Sequence, residues 1–133
     1  MLLVVTSFYA GLMALWIMGL GFEVSRRRRR HDVSYGDGDV PELIQAIRAH
    51  ANACEYIPIA LIVMALSEGM GAPPLLLHVA GAMLVVGRVM HGAYFLAGAK
   101  RFNLRFFGMM LTGVMIGGLG LALVWQALLA FFF

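Results

Sequence analysis

The sequence predicts an all-α integral membrane protein whose 133 residues form one domain, a bundle of four transmembrane helices. Three observations predict it. Hydrophobic residues make up 62% of the chain and charged residues 13%, with a mean hydropathy of +0.87, which is too apolar for a soluble domain. Four apolar segments, at about residues 2–22, 42–66, 74–97 and 104–131, each come near the roughly 20 residues that a bilayer core demands. The charges gather mainly between these segments, and a polar connection at about 23–41 separates the first two. A chain of this length with four spans has no room for a large soluble domain, and its single cysteine, Cys54, excludes an intrachain disulfide.

The first span carries only Thr6 and Ser7 as aliphatic hydroxyl residues, and its charges follow it as Glu23 and the run Arg26 to Arg30. A cleaved signal peptide would place its basic residues before the apolar run, so a retained helix is expected. The arginines read as a cytoplasmic anchor under the positive-inside rule, with attraction to anionic lipid second. They lie against a membrane and have no nucleic-acid-binding motif beside them, so no nucleic-acid partner is expected.

The connection ends in HDVSYGDGDV at 31–40, which has turn composition and no apolar periodicity. Asp37-Gly38 suits a tight turn, and Asp39 with Glu42 three residues on has the spacing of a capping box, with Pro41 in the first turn of the second helix. Further along, Pro58 lacks the amide that would bond the Cys54 carbonyl, so a kink is expected beside Glu55. The next connection, EGMGAPP at 68–74, has no Lys or Arg, whereas Lys100, Arg101 and Arg105 gather after the third span. Both basic clusters therefore fall on one side, with both termini expected on the other, periplasmic side. In the fourth span Gly113, Gly117, Gly118 and Gly120 read as a small-residue face for close helix packing, and Trp125 as an outer-interface residue. Gly117-Gly118-Leu119-Gly120 follows no strand and lies within lipid, which excludes a phosphate loop.

The second helix departs from a plain span. At 100° per residue Arg48, Asn52 and Glu55 fall in a sector of roughly 60°, flanked by Gln45 and Tyr56. The residues after them, 57–66, are almost wholly apolar, and a charge facing hydrocarbon there costs several kcal/mol. This stripe must face protein, water or a ligand. The third span adds Arg88 and His91 one turn apart, with Phe95 along the same face and Tyr94 turned away by about 120°. One reading of Arg88 is an internal lock with Glu55. The other is a shared ligand site.

The run Arg48-Ala-His50-Ala-Asn52-Ala-Cys54-Glu55-Tyr56-Ile-Pro58 resembles, in spacing, the R-x-x-x-N-x-x-E-[YN]-x-P helix of the MAPEG family, the membrane-associated proteins in eicosanoid and glutathione metabolism. The likeness extends over about 35–105, and YGDG before the helix most resembles the small bacterial inner-membrane branch. The resemblance implies a homotrimer in a bacterial inner membrane, with glutathione as co-substrate bound between neighbouring subunits. Arg48, Asn52, Glu55, Tyr56 and Arg88 match the family's ligand positions, and His91 and Phe95 stand where the family often has tyrosines. Arg105 matches its activating arginine, with Arg101 as the alternative.

Glutathione chemistry accounts for these residue types. Arg48 and Arg88 can hold its carboxylates in bidentate geometry, Glu55 can accept from its ammonium, Asn52 can bond its peptide groups and Tyr56 adds a hydroxyl. A cation near sulfur lowers the thiol pKa, the role assigned to Arg105. The expected function is a glutathione transferase or peroxidase acting on lipophilic electrophiles or lipid hydroperoxides in the bilayer. The alternative is a non-catalytic MAPEG-like protein that binds a lipid or thiol ligand. No metal is expected, because His31, His50, His78 and His91 lack ligand spacing, and Cys54 reads as a small packing residue.

Overall fold

The computed structural model describes residues 2–98 and 102–132. It is a membrane bundle of four helices: α1 (Val4–Arg30), α2 (Pro41–Gly69), α3 (Pro74–Leu96) and α4 (Phe102–Phe132). All four are long and apolar enough to cross a bilayer. The central pair is α2 and α3, which touch each other and every other helix except that α1 and α4 do not meet among the described residues. A site between α2 and α3 is therefore covered by α1 on one flank and α4 on the other.

Small side chains set how closely α2 is packed. Leu43, Ala46, Ala49, Ala53, Ile57, Ala60 and Met64 recur every three or four residues and are buried, so one alanine-rich edge faces the core. That register turns Ile44, Arg48, Glu55, Ile59, Ile62 and Leu66 outward as an exposed stripe. At about 1.5 Å per residue, the 29 residues of α2 run some 43 Å, longer than the hydrocarbon core, so part of it stands beyond the bilayer. Pro58 lies within this helix, which continues through it.

Two sequence expectations are corrected. α1 runs through the arginines to Arg30, into the connection expected at about 23–41, and Arg27 is buried, donating to Glu23 at 2.6 Å and to the Glu42 carbonyl at 2.6 Å. It thereby ties the end of α1 to the start of α2. The Asp39 capping box does not form. Asp39 is left-handed (φ 55°) and its N–H donates to Asp37 Oδ1 at 3.0 Å, leaving Val40 as a cap without a side-chain bond. An N-cap needs an extended backbone, which the turn denies Asp39, and Glu42 lies instead near Arg30.

The glycines of α4 fall into two groups. A Cβ added at Gly113, Gly117, Gly118 or Gly120 would meet nothing within 4 Å, so this face of α4 packs on no helix of the same chain among the described residues. The close approach lies elsewhere: a Cβ at Gly108 would sit 2.7 Å from the Gly87 carbonyl oxygen, and one at Gly87 would sit 2.9 Å from the Gly108 carbonyl oxygen. Backbone meets backbone there because neither residue has a side chain.

At the other end, the chain caps α1 from a distance. No side chain next to α1 caps it, but the Glu68 carboxylate accepts from the N–H groups of Val5 at 2.9 Å and Thr6 at 2.8 Å. A carboxylate on orphan amides at the positive end of a helix dipole is favourable on both counts. Tyr9 fixes α1 to α3 beside it, donating to the His78 carbonyl at 3.0 Å with its ring over Gly81.

Candidate functional site

The packing of α2 decides which of its polar residues point where. Asn52 and Tyr56, one turn apart, are half-buried toward α3, while Arg48 and Glu55 are exposed on the outer stripe. Opposite them on α3 is Arg88, only 2% exposed. Its Nη1 donates to Asn52 Oδ1 at 2.8 Å, its Nε to Thr112 Oγ1 at 3.0 Å, and its Nη2 lies 3.4 Å from the Gly108 carbonyl oxygen and 3.5 Å from the Met109 sulfur. The guanidinium carbon stands 5.1 Å from the centroid of the Tyr56 ring, within cation–π range.

Arg88 thus joins α2, α3 and α4. Each of these partners of its guanidinium is neutral, and no ion pair links Arg88 to a carboxylate among the described residues. The Arg88–Glu55 lock does not form, since Glu55 points outward and Asn52 takes the place facing α3. Nη1 and Nε of Arg88 are engaged within the chain, so a carboxylate on Arg88 would compete with these bonds.

These contacts orient Asn52. A guanidinium only donates, so the atom of Asn52 facing it is the oxygen, and the amide NH2 is turned away from Arg88 with two donors to offer. Along α3, His91 is buried, its ring 5.3 Å from that of Phe95. Its backbone packs on Gly108, where an added Cβ would lie 2.9 Å from the His91 backbone nitrogen.

The structure separates the remaining site residues. Arg105 is exposed at the start of α4, with its guanidinium carbon 5.9 Å from the Tyr94 ring centroid. Arg48, Glu55 and Arg105 have no ion-pair partner among the described residues. Arg101, the alternative to Arg105, lies outside the described residues.

Two residues that sequence reasoning did not assign to the site stand next to it. Thr112 is fully buried between Arg88 and the Gly108 carbonyl, to which its hydroxyl donates at 3.1 Å. Its signal in the sequence was a lone hydroxyl one turn after Gly108 in an apolar span. Tyr94 lies beside Arg105, and nothing in the helical periodicity of α3 could show this, because it depends on how α4 returns.

A membrane bundle with charges exposed along its second helix and an uncompensated arginine buried on its third defines a polytopic protein built around an intramembrane polar site. The sequence model of the MAPEG family matches residues 6–125, and the chain belongs to that family. Over 87 residues it is 47% identical to the inner membrane protein YecN of Escherichia coli strain K12, covering 65% of this chain and 66% of that protein. YecN of E. coli O6:H1 matches over the same 87 residues at 47%. The matched stretch spans just under two thirds of each relative's length.

Proposed function

We propose that the chain is the subunit of a homotrimeric membrane enzyme that uses glutathione on lipophilic electrophiles or lipid hydroperoxides, with its thiol site on the outer face of α2 and completed by a neighbouring subunit. The observation that carries this reading is the exposure of Glu55 and Arg48 on a membrane-spanning helix. Facing hydrocarbon, each would cost several kcal/mol, and a second copy with an anionic, zwitterionic ligand between the two relieves that cost. Family membership supports the reading, as does the inner-membrane name of the relatives. Both termini are then periplasmic and the site opens toward the cytoplasmic side.

In this reading Arg48 holds a carboxylate of glutathione, Glu55 accepts from its ammonium, and the Asn52 amide donates to its peptide carbonyl. Arg88 is a positioning residue. Its bond to Asn52 aims the amide, and its uncompensated charge favours an anion nearby. Tyr56 lines the site, His91 lies buried one turn from Arg88 on α3, and Arg105, with the Tyr94 ring beside it, stabilises thiolate. Thiolate sulfur then forms a bond to an electrophilic carbon as the leaving group departs with its electron pair. With a hydroperoxide, sulfur attacks the outer oxygen, the alcohol leaves, and a second glutathione releases water and forms the disulfide.

The burial of His91 and the apolar Phe95 favour the second reading, a binder without catalysis, since neither supplies a phenol near sulfur. Titration of the detergent-solubilised protein with glutathione, followed by calorimetry and thiolate absorbance near the ultraviolet edge, separates the two. Binding with thiolate formation supports the enzyme, binding without thiolate supports a thiol binder, and no binding removes both of these and leaves only a lipid-binding protein.

A further inference from the structure

The end of α1 carries a second polar feature, away from Asn52 and Arg88. Three of its five arginines have carboxylate partners: Arg26 and Arg27 lie 2.7 and 2.6 Å from Glu23, and Arg30 lies 3.7 Å from Glu42. Arg28 and Arg29 have none among the described residues, and Arg28 Nη1 is buried without a hydrogen-bond partner. Both line an open cleft of about 430 Å³ with Ser25, Asp32, Val33 and Ser34.

Backbone geometry builds that cleft. Asp32 takes a left-handed conformation (φ 52°) just past the helix, and the Val33 N–H donates back to the Arg28 carbonyl at 3.0 Å. This is the six-to-one bond of a Schellman ending, which folds the following residues back over the last turn. Val33 is backed in turn by Gly38 (φ +58°), where an added Cβ would lie 2.7 Å from the valine methyl. A second cavity of about 290 Å³ shares Ser25 and continues along Ile17, Met18, Gly21 and Phe22, with His50 of α2 at its wall.

We propose that the two cavities together bind an acidic phospholipid, with the phosphate on Arg28, Arg29, Ser25 and Ser34 and the adjoining chain along Ile17, Met18 and Phe22. The charge balance permits it. The last carbonyls of α1 carry about half a negative charge and Asp32 a full one, which two guanidinium groups exceed. The planar guanidinium fork matches phosphate oxygens, and neither Arg28 nor Arg29 is tied to a carboxylate among the described residues. From Ser25 to Ile17 is eight residues, or about 12 Å along the helix, a span that leads from a headgroup into the upper acyl region.

Native mass spectrometry of the full chain in neutral detergent tests the site with phosphatidic acid, phosphatidylcholine and inorganic phosphate as probes. Phosphatidic acid should be retained and phosphatidylcholine lost. Arg28→Gln/Arg29→Gln should weaken retention at least about tenfold, whereas Arg26→Gln/Arg30→Gln, with the same change in charge, should weaken it less than about threefold. Equal losses in the two double variants would mean diffuse attraction and overturn the site. Equal retention of phosphatidylcholine would overturn the headgroup assignment, and displacement of lipid by an equal concentration of inorganic phosphate would overturn the role of the apolar groove. Should Arg28→Gln/Arg29→Gln not fold, Asp32→Asn takes its place: it should tighten phosphatidic acid retention severalfold, and no change rejects the proposal.

Discussion

Arg88 on α3 donates to the side-chain oxygen of Asn52 on α2 at 2.8 Å, and this bond fixes which way the Asn52 amide faces. It joins two residues 36 positions apart, and the arginine that makes it is buried. Arg88 also reaches Thr112 on α4, so one cation sets the relative positions of three helices.

A double-mutant cycle should measure that bond. Arg88→Met and Asn52→Ala, alone and together, are expected to show a coupling of about 1.5–3 kcal/mol, the usual range for a hydrogen bond to a charged group. Thermal or denaturant unfolding in mild detergent supplies the numbers. Additivity to within about 0.5 kcal/mol would show that the bond contributes nothing specific.

Arg48 and Arg105 should fail differently. Arg48→Ala removes a contact made equally in ground and transition states, so glutathione affinity should fall about ten- to hundredfold while saturated turnover changes less. Arg105→Ala should leave binding near normal and suppress both thiolate absorbance and turnover. Unchanged turnover by Arg105→Ala with several electrophiles would remove Arg105 from the mechanism.

The glycines give opposite expectations at two places on α4. Gly108→Ala drives a methyl into the Gly87 carbonyl and the backbone of His91, and overpacking of this kind costs about 1–3 kcal/mol. Gly117→Ala meets nothing within 4 Å among the described residues and removes a residue about 1 kcal/mol poorer than alanine in helix propensity. Melting temperatures should fall in the first variant and hold or rise in the second. Loss of stability or assembly in Gly117→Ala would place another chain on that face.

The orientation can be read by labelling. In a Cys54→Ser background, Ser34→Cys in the α1–α2 connection and Met70→Cys in the α2–α3 turn lie on exposed positions at opposite ends of the bundle. An impermeant thiol reagent applied from the periplasm should modify Met70→Cys and spare Ser34→Cys. The reverse pattern would invert the topology.

How much of this was legible in the sequence follows from the range of each effect. The four spans and the polar stripe on α2 were readable because burial in lipid acts on composition and periodicity, which are local. The family was readable from the spacing of Arg48, Asn52, Glu55, Tyr56 and Pro58, which one helix lays out along its own surface. That Asn52 and Glu55 share a stripe followed from the angle between them. That Asn52 turns inward and Glu55 outward did not, because the alanine-rich edge of α2 can be seated only once α1 and α3 are in place.

The tertiary structure alone decided the partners. The sequence offered Arg88 a lock with Glu55 or a shared ligand site, and the rotation of α2 against α3 put Asn52 opposite it instead. Gly87 and Gly108 looked no different from the glycines of 113–120, until the crossing of α3 and α4 brought two backbones together at that level. Five consecutive arginines looked equivalent, yet successive helix positions differ by 100°, which buries Arg27 and turns Arg28 into a cleft. Lipid solvation selects which segments become helices, but side-chain partners depend on helix rotation and crossing, and those are set by contacts between residues far apart in the chain.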